Sequence, residues 1–137
     1  MKSIGFIGIG VMGASMARNL DMHGYQVFIY NRTKSKAKSL IDEGLVWCDS
    51  VAECAAGRDA VITIVGYPKD VEEVYFGDGG IIANAKSGAY LIDMTTTSPQ
   101  LSKRIYEAAY ARGLFALDAP VSGGDGGARD GALAIMV

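Results

Sequence analysis

Gly8, Gly10 and Gly13 fall at G-x-G-x-x-G spacing in the stretch FIGIGVMGASMARNL. Glycines so placed between an apolar run and a helical pattern suit the binding of a pyrophosphate. The spacing assigns Gly8 to a tight turn, Gly10 to bare backbone that a phosphate can approach, and Gly13 to packing of a helix on a strand. Val11 and Met12, inside the turn, belong to the same candidate set. The helix that starts there offers unpaired N–H groups and a partial positive charge. Roughly 20 residues on, an NAD site keeps Asp or Glu for the ribose 2'-hydroxyl. This chain has Asn31, Arg32 and Thr33 instead. A guanidinium can clamp a 2'-phosphate, Asn31 and Thr33 can hydrogen-bond to it, and Lys36 adds charge. The set reads as a site for NADP, with NAD the lesser expectation. The competing readings are a chance spacing in a chain with 18 glycines and a solvated surface arginine.

These residues need a scaffold, and the sequence supplies alternating strands and helices. SIGFIGIG reads as a strand and the segment through ASMARNLDMHG as a helix stopped by Gly24. YQVFIY, LVWC and AVITIV read as further strands, the last apolar on both faces, as a strand covered by helices on both sides must be. AKSLIDEG, SVAECAAG and KDVEEVYFG read as helices, with Ser50 capping the second and Glu53 three residues on. YLIDM leads into TTTSP, where Ser98 and Pro99 are the cap and first position of a long helix, QLSKRIYEAAYARG. LFALDAPV is expected as the sixth strand, and SGGDGGARDGALAIMV as a glycine-rich loop entering another. The alternation predicts an α/β fold, a doubly wound and mainly parallel sheet of the Rossmann type.

Bulk properties narrow the function classes. The 137 residues suffice for one cored domain, residues 1–137. A net charge of -2 and the lack of a basic block argue against nucleic acid as a partner. Apolar runs are too short for a membrane span, and the N-terminus enters a strand pattern directly, which reads as cytoplasmic. With one His, and with Cys48 and Cys54 outside any C-x-x-C pair, no metal site is expected. Both thiols read as buried. His23 reads as a helix-end residue, Met12, Met16 and Met22 as core, with Met12 also placed to touch a cofactor, and Trp47 as packed in the sheet.

Three segments carry a more specific likeness. With GFIGIGVMGASMARNL at the start, DMTTTSP at Asp93–Pro99 and DAPVSGGDGGARDGALAIMV at Asp118–Val137, the whole chain resembles the β-hydroxyacid dehydrogenase family. That family holds the 3-hydroxyisobutyrate dehydrogenases and the tartronate, glyoxylate and succinic semialdehyde reductases, with 6-phosphogluconate dehydrogenase and imine reductases more distant. The resemblance implies that Val65, Gly66, Tyr67 and Pro68 pass the adenine side of the cofactor. It implies that Thr95 and Thr96 lie near the nicotinamide ribose, and that Ser122, Gly123 and Gly124 receive a small carboxylate-bearing substrate. Backbone N–H groups bared by glycine, beside a serine hydroxyl, are suitable donors for such an anion.

The family's general acid is a lysine in a G-x-G-x-x-x-K-x-x-N segment, and Lys2, Lys34, Lys36, Lys38, Lys69, Lys86 and Lys103 all stand outside such a motif. No complete catalytic set is therefore expected here. The resemblance implies a cofactor domain cut off before the family's C-terminal helical domain, in a parent enzyme that moves hydride between NADPH and a small semialdehyde or hydroxy acid. A non-catalytic NADP-binding module and an enzyme like 6-phosphogluconate dehydrogenase are the alternatives. The parent is expected to form homo-oligomers, and the chain itself could form a homodimer.

Overall fold

A computed structural model of the chain describes residues 2–95, 97–122, 127–129, 131 and 134–135. The apolar runs become β1 (Ser3–Ile7), β2 (Gln26–Tyr30), β3 (Val46–Trp47), β4 (Ala60–Thr63), β5 (Tyr90–Asp93) and β6 (Phe115–Asp118). They form one six-stranded sheet in the order β3-β2-β1-β4-β5-β6, parallel throughout. The chain winds outward from β1 to β3, then crosses back to β4 and winds the other way. The reversal lies between β1 and β4, where a doubly wound sheet opens a crevice at the carboxyl ends of its strands.

The helices are α1 (Val11–Met22), α2 (Lys38–Asp42) behind a 3-10 turn at Lys34–Ala37, α3 (Val51–Ala55), α4 (Pro68–Tyr75), α5 (Ile81–Asn84) and α6 (Pro99–Ala111). They split the core in two. On one face Val71, Tyr75, Ile81, Leu101 and Ile105 pack with Val61 and Leu91. On the other, Ala17 and Leu40 pack with Phe6, Ile29 and Ile62. Every residue of β4 is buried, the apolar Ala60, Val61 and Ile62 and the polar Thr63 alike, in keeping with helices on both faces of the strand.

The caps follow the sequence pattern. Ser50 Oγ accepts from the Glu53 amide (3.1 Å), and Ser98 Oγ accepts from the Leu101 amide (3.2 Å) with Pro99 at the first helical position. The Glu53 carboxylate, however, accepts from the Asp49 amide rather than from Ser50. His23 Nδ1 lies 2.7 Å from the Asn19 carbonyl, the expected helix-end position. Cys48 and Cys54 are buried free thiols, and Trp47 stacks on Tyr30 with ring centroids 5.9 Å apart.

Two expectations need correction. LFALDAPV is not one strand: β6 stops at Asp118, its last ladder bond running from the Ala119 amide to the Asp93 carbonyl, because the next amide in line beyond β5, that of Thr95, donates to Asp93 Oδ1 instead. Val121–Ser122 instead form β7, paired antiparallel with β8 (Ala134–Ile135) in a separate ribbon. The short helix α5 is a further element that the sequence pattern did not mark, tied to the turn before it by Asn84, whose amide donates to the carbonyls of Asp78 and Gly80. Met22 is 71% exposed and belongs to no core: the face of α1 that packs on the sheet carries Met16, Ala17 and Leu20.

Candidate functional site

A cleft of about 650 Å³ runs along the carboxyl ends of β1, β2 and β4. Its floor is the turn after β1. Gly8 has φ +106, and a Cβ there would collide with the Ile64 carbonyl, so both the turn and the neighbouring strand require glycine. At Gly13 a Cβ would strike the Gly8 carbonyl, and this is where α1 seats on the end of β1. Gly10 differs from both. Its φ is -85, and an added Cβ would meet no described residue within 4 Å, so no packing among the described residues demands glycine there. Gly10 lines the cleft.

Gly10 is also the cap of α1, and no side chain among the described residues satisfies that helix end. The first bond into the turn runs from the Ala14 amide to the Gly10 carbonyl. Among the described residues, the amides of Val11, Met12 and Gly13 have no acceptor, and no acidic residue occupies the first turn. A helix end in this state is ready to hold an anion. The turn is braced from the side by Asn31, whose Oδ1 accepts from the Ile9 amide (2.9 Å) while its Nδ2 donates to the Thr33 carbonyl. Both ends of the Asn31 amide are thereby engaged in shaping the loop.

At the far end stand Arg32, Thr33 and Lys36. Arg32 Nη2 lies 3.3 Å from Asp70 Oδ1 and 3.5 Å from Glu73 Oε2, both carried by α4. These carboxylates also line the cleft. Their sequence distance from Arg32 left no signal by which they could have been found. Lys36 has no ion pair among the described residues.

The other wall holds Val65 and Gly66, and the residues beneath it form a buried polar chain. Thr63 Oγ1 donates to Asp93 Oδ1 (3.0 Å), so its single proton is used. The Tyr75 hydroxyl, 3.0 Å from the same oxygen, must then be the donor to Thr63. Asp93 also accepts from the Thr95 amide and the Thr97 hydroxyl, and Thr95 Oγ1 accepts from the Val65 amide (2.9 Å). Burial pushes the Asp93 carboxyl above its ordinary range despite these donors. Burial, with the Asp93 charge second, pushes the Tyr75 phenol far up.

The predicted residues divide accordingly. The cleft gathers Gly8, Gly10, Met12, Gly13, Asn31, Arg32, Thr33, Val65 and Gly66. Val11, Tyr67 and Pro68 are not on its lining; Val11 and Tyr67 are exposed, and Pro68 opens α4. Thr95 is 4% exposed, with its hydroxyl turned to the Val65 loop. Ser122 lies on β7. Thr96, Gly123 and Gly124 lie outside the described residues.

A parallel doubly wound sheet, with an uncapped helix end at its first crossover, defines this as a domain of the dinucleotide-binding class. The sequence model described as the NAD binding domain of 6-phosphogluconate dehydrogenase matches residues 3–137, and the chain belongs to that family. It is 61% identical over 136 residues to a Bacillus subtilis (strain 168) protein described as the uncharacterized oxidoreductase YkwC, covering 99% of this chain and 47% of that one. The solved structure of Mycobacterium tuberculosis 3-hydroxyisobutyrate dehydrogenase with L-serine superposes with a TM-score of 0.92 at 34% identity, over 99% of this chain and 46% of that one. The structure of Psf3 in complex with NADP+ and 2-OPP gives 0.91 at 29%, over 96% and 47%. The chain thus spans about half the length of the relatives it matches. No helix among the described residues is long and apolar enough to cross a membrane.

Proposed function

We propose that this chain is the cofactor-binding portion of a cytoplasmic NADP-dependent oxidoreductase acting on a small semialdehyde or hydroxy acid. One observation carries the reading: Gly10 is bare although no described residue requires it, and it faces the cleft beside a helix end that no described side chain caps. Space and unpaired amides together are what a pyrophosphate needs. In this reading Val11, Met12 and Gly13 donate to the pyrophosphate, and Arg32 with Thr33 and Lys36 receives the 2'-phosphate. Asn31 holds the turn in shape. Val65 and Gly66 form the adenosine wall, followed by Tyr67 and Pro68, and the Thr95 and Thr96 segment orients the nicotinamide ribose. Bound there, the nicotinamide supplies hydride chemistry to a carbonyl carbon or takes hydride from the alcohol. Ser122, Gly123 and Gly124 receive the substrate carboxylate and orient its carbonyl. The general acid is supplied from outside residues 1–137, so this chain alone binds cofactor without turning over substrate.

The expected test result is that Arg32→Ala weakens NADPH binding about ten- to hundredfold, the value of one charge-assisted hydrogen bond, while NADH binding changes by less than about twofold. Trp47, stacked on the cleft residue Tyr30, offers a fluorescence readout. Equal losses for the two cofactors would remove the NADP assignment. A second reading, NAD, is favoured by one feature: Asp70 and Glu73 place two carboxylates where a ribose 2'-hydroxyl would find acceptors.

A further inference from the structure

Arg32 is already occupied. Its guanidinium, 70% exposed, is approached by two carboxylates rising from the first turns of α4, and all three groups line the same end of the cleft. Asp70 is the fixed member of the pair. Its Oδ2 accepts from the Tyr67 amide (3.1 Å), which caps α4 and leaves Oδ1 for Arg32. Glu73 is the less constrained member, its side chain 66% exposed and hydrogen-bonded to no described residue but Arg32. The helix that carries both is anchored beneath by Tyr75, buried and bonded to Thr63.

A carboxylate and a phosphate compete for a guanidinium because both are acceptors of the same N–H donors. A 2'-phosphate entering this end must share or take Arg32 from Asp70 and Glu73. It must also sit within a Debye length of their charges. A ribose with a free 2'-hydroxyl meets no such competition. The geometry points to Asp70 and Glu73 as specificity-determining residues that act through Arg32: they lower the affinity for a 2'-phosphorylated nucleotide and so set the NADP to NAD ratio from α4.

This rests on the proposed placement of the adenosine end of the cofactor at Arg32, but not on which cofactor wins. The test is equilibrium titration of the 137-residue chain with 2',5'-ADP and with 5'-AMP, in the natural sequence, Glu73→Gln, Arg32→Ala and the double variant. Glu73→Gln is expected to tighten 2',5'-ADP about two- to fivefold at low salt, as the loss of one exposed ion pair allows, and to leave 5'-AMP within about twofold. The gain should shrink near 1 M salt, where screening is short-ranged, and vanish in the Arg32→Ala background. A ratio of dissociation constants unchanged by Glu73→Gln, or changed equally without Arg32, would overturn the inference. A natural chain that prefers 5'-AMP would instead reject the NADP reading above, and the Glu73→Gln shift would still decide this one.

Discussion

Gly10 and Gly13 share one motif yet should respond oppositely to the same added methyl group. At Gly13 a Cβ meets the Gly8 carbonyl, backbone that cannot swing aside, so Gly13→Ala has to move α1 off β1. The expected loss is at least about 2 kcal/mol, in the range of overpacked positions. Gly10→Ala meets open space at an ordinary φ and should change stability by less than about 0.5 kcal/mol. Its methyl group would occupy the place proposed for the pyrophosphate, so dinucleotide affinity should fall by more than about tenfold. Urea melts alongside NADPH titration separate the two effects. A Gly10→Ala chain that is stable and binds normally would end the pyrophosphate assignment.

At the scale of elements, α4, β4 and β5 are joined by hydroxyls rather than by apolar contact alone. Tyr75 donates to Thr63 and Thr63 to Asp93, and Thr95, whose amide donates to Asp93 and whose hydroxyl accepts from the Val65 amide, extends the chain to the Val65 loop. Thr63→Val keeps the shape but strands the Tyr75 hydroxyl in the core and takes one donor from Asp93. It should cost about 1–3 kcal/mol. Tyr75→Phe removes a donor and leaves Thr63 bonded to Asp93, so about 1 kcal/mol is expected; thermal denaturation of both variants tests the order. Little of this network could be read in the sequence, because a threonine at a strand end and a tyrosine in an amphipathic helix are ordinary residues until the fold joins them. The same holds for Asp70 and Glu73, brought to Arg32 only by the crossover from β4 through α4. Local signals were legible: the glycine turn, the Ser50 and Ser98 caps, and the apolar runs of β1, β2, β4 and β5. The β6 boundary was not, because the apolar pattern runs on through Val121, whereas the ladder ends where the Thr95 amide turns to the Asp93 carboxylate.

Across the whole molecule, the two ends of the parallel sheet answer to pH with opposite signs. At the amino ends, Asp59, just before β4, ties the start of β1 to the segment between α5 and β5: its carboxylate accepts from the amides of Lys2 and Ser3 and from Lys86 Nζ (2.9 Å). Lys86 is the first cause, then those amides, and the Asp59 pKa is held well below the usual carboxylate range. A depressed folded pKa contributes stability that is present above the unfolded value of about 3.9 and lost as pH falls toward the folded one. At the carboxyl ends, beneath the cleft, Asp93 has a raised pKa. Its contribution is present below about pH 3.9 and is lost as pH rises through the folded value. Denaturation of the natural chain, Asp59→Asn and Asp93→Asn over acidic to neutral pH should therefore give difference curves of opposite slope. The natural chain should lose its advantage over Asp59→Asn as the solution is acidified, and its advantage over Asp93→Asn as the solution is neutralised. If the two slopes had the same sign, Asp93 would be an ordinary paired carboxylate stabilised by its three donors. The polar chain beneath the cleft would then hold a favourable charge, in place of one whose burial costs more than those donors offset.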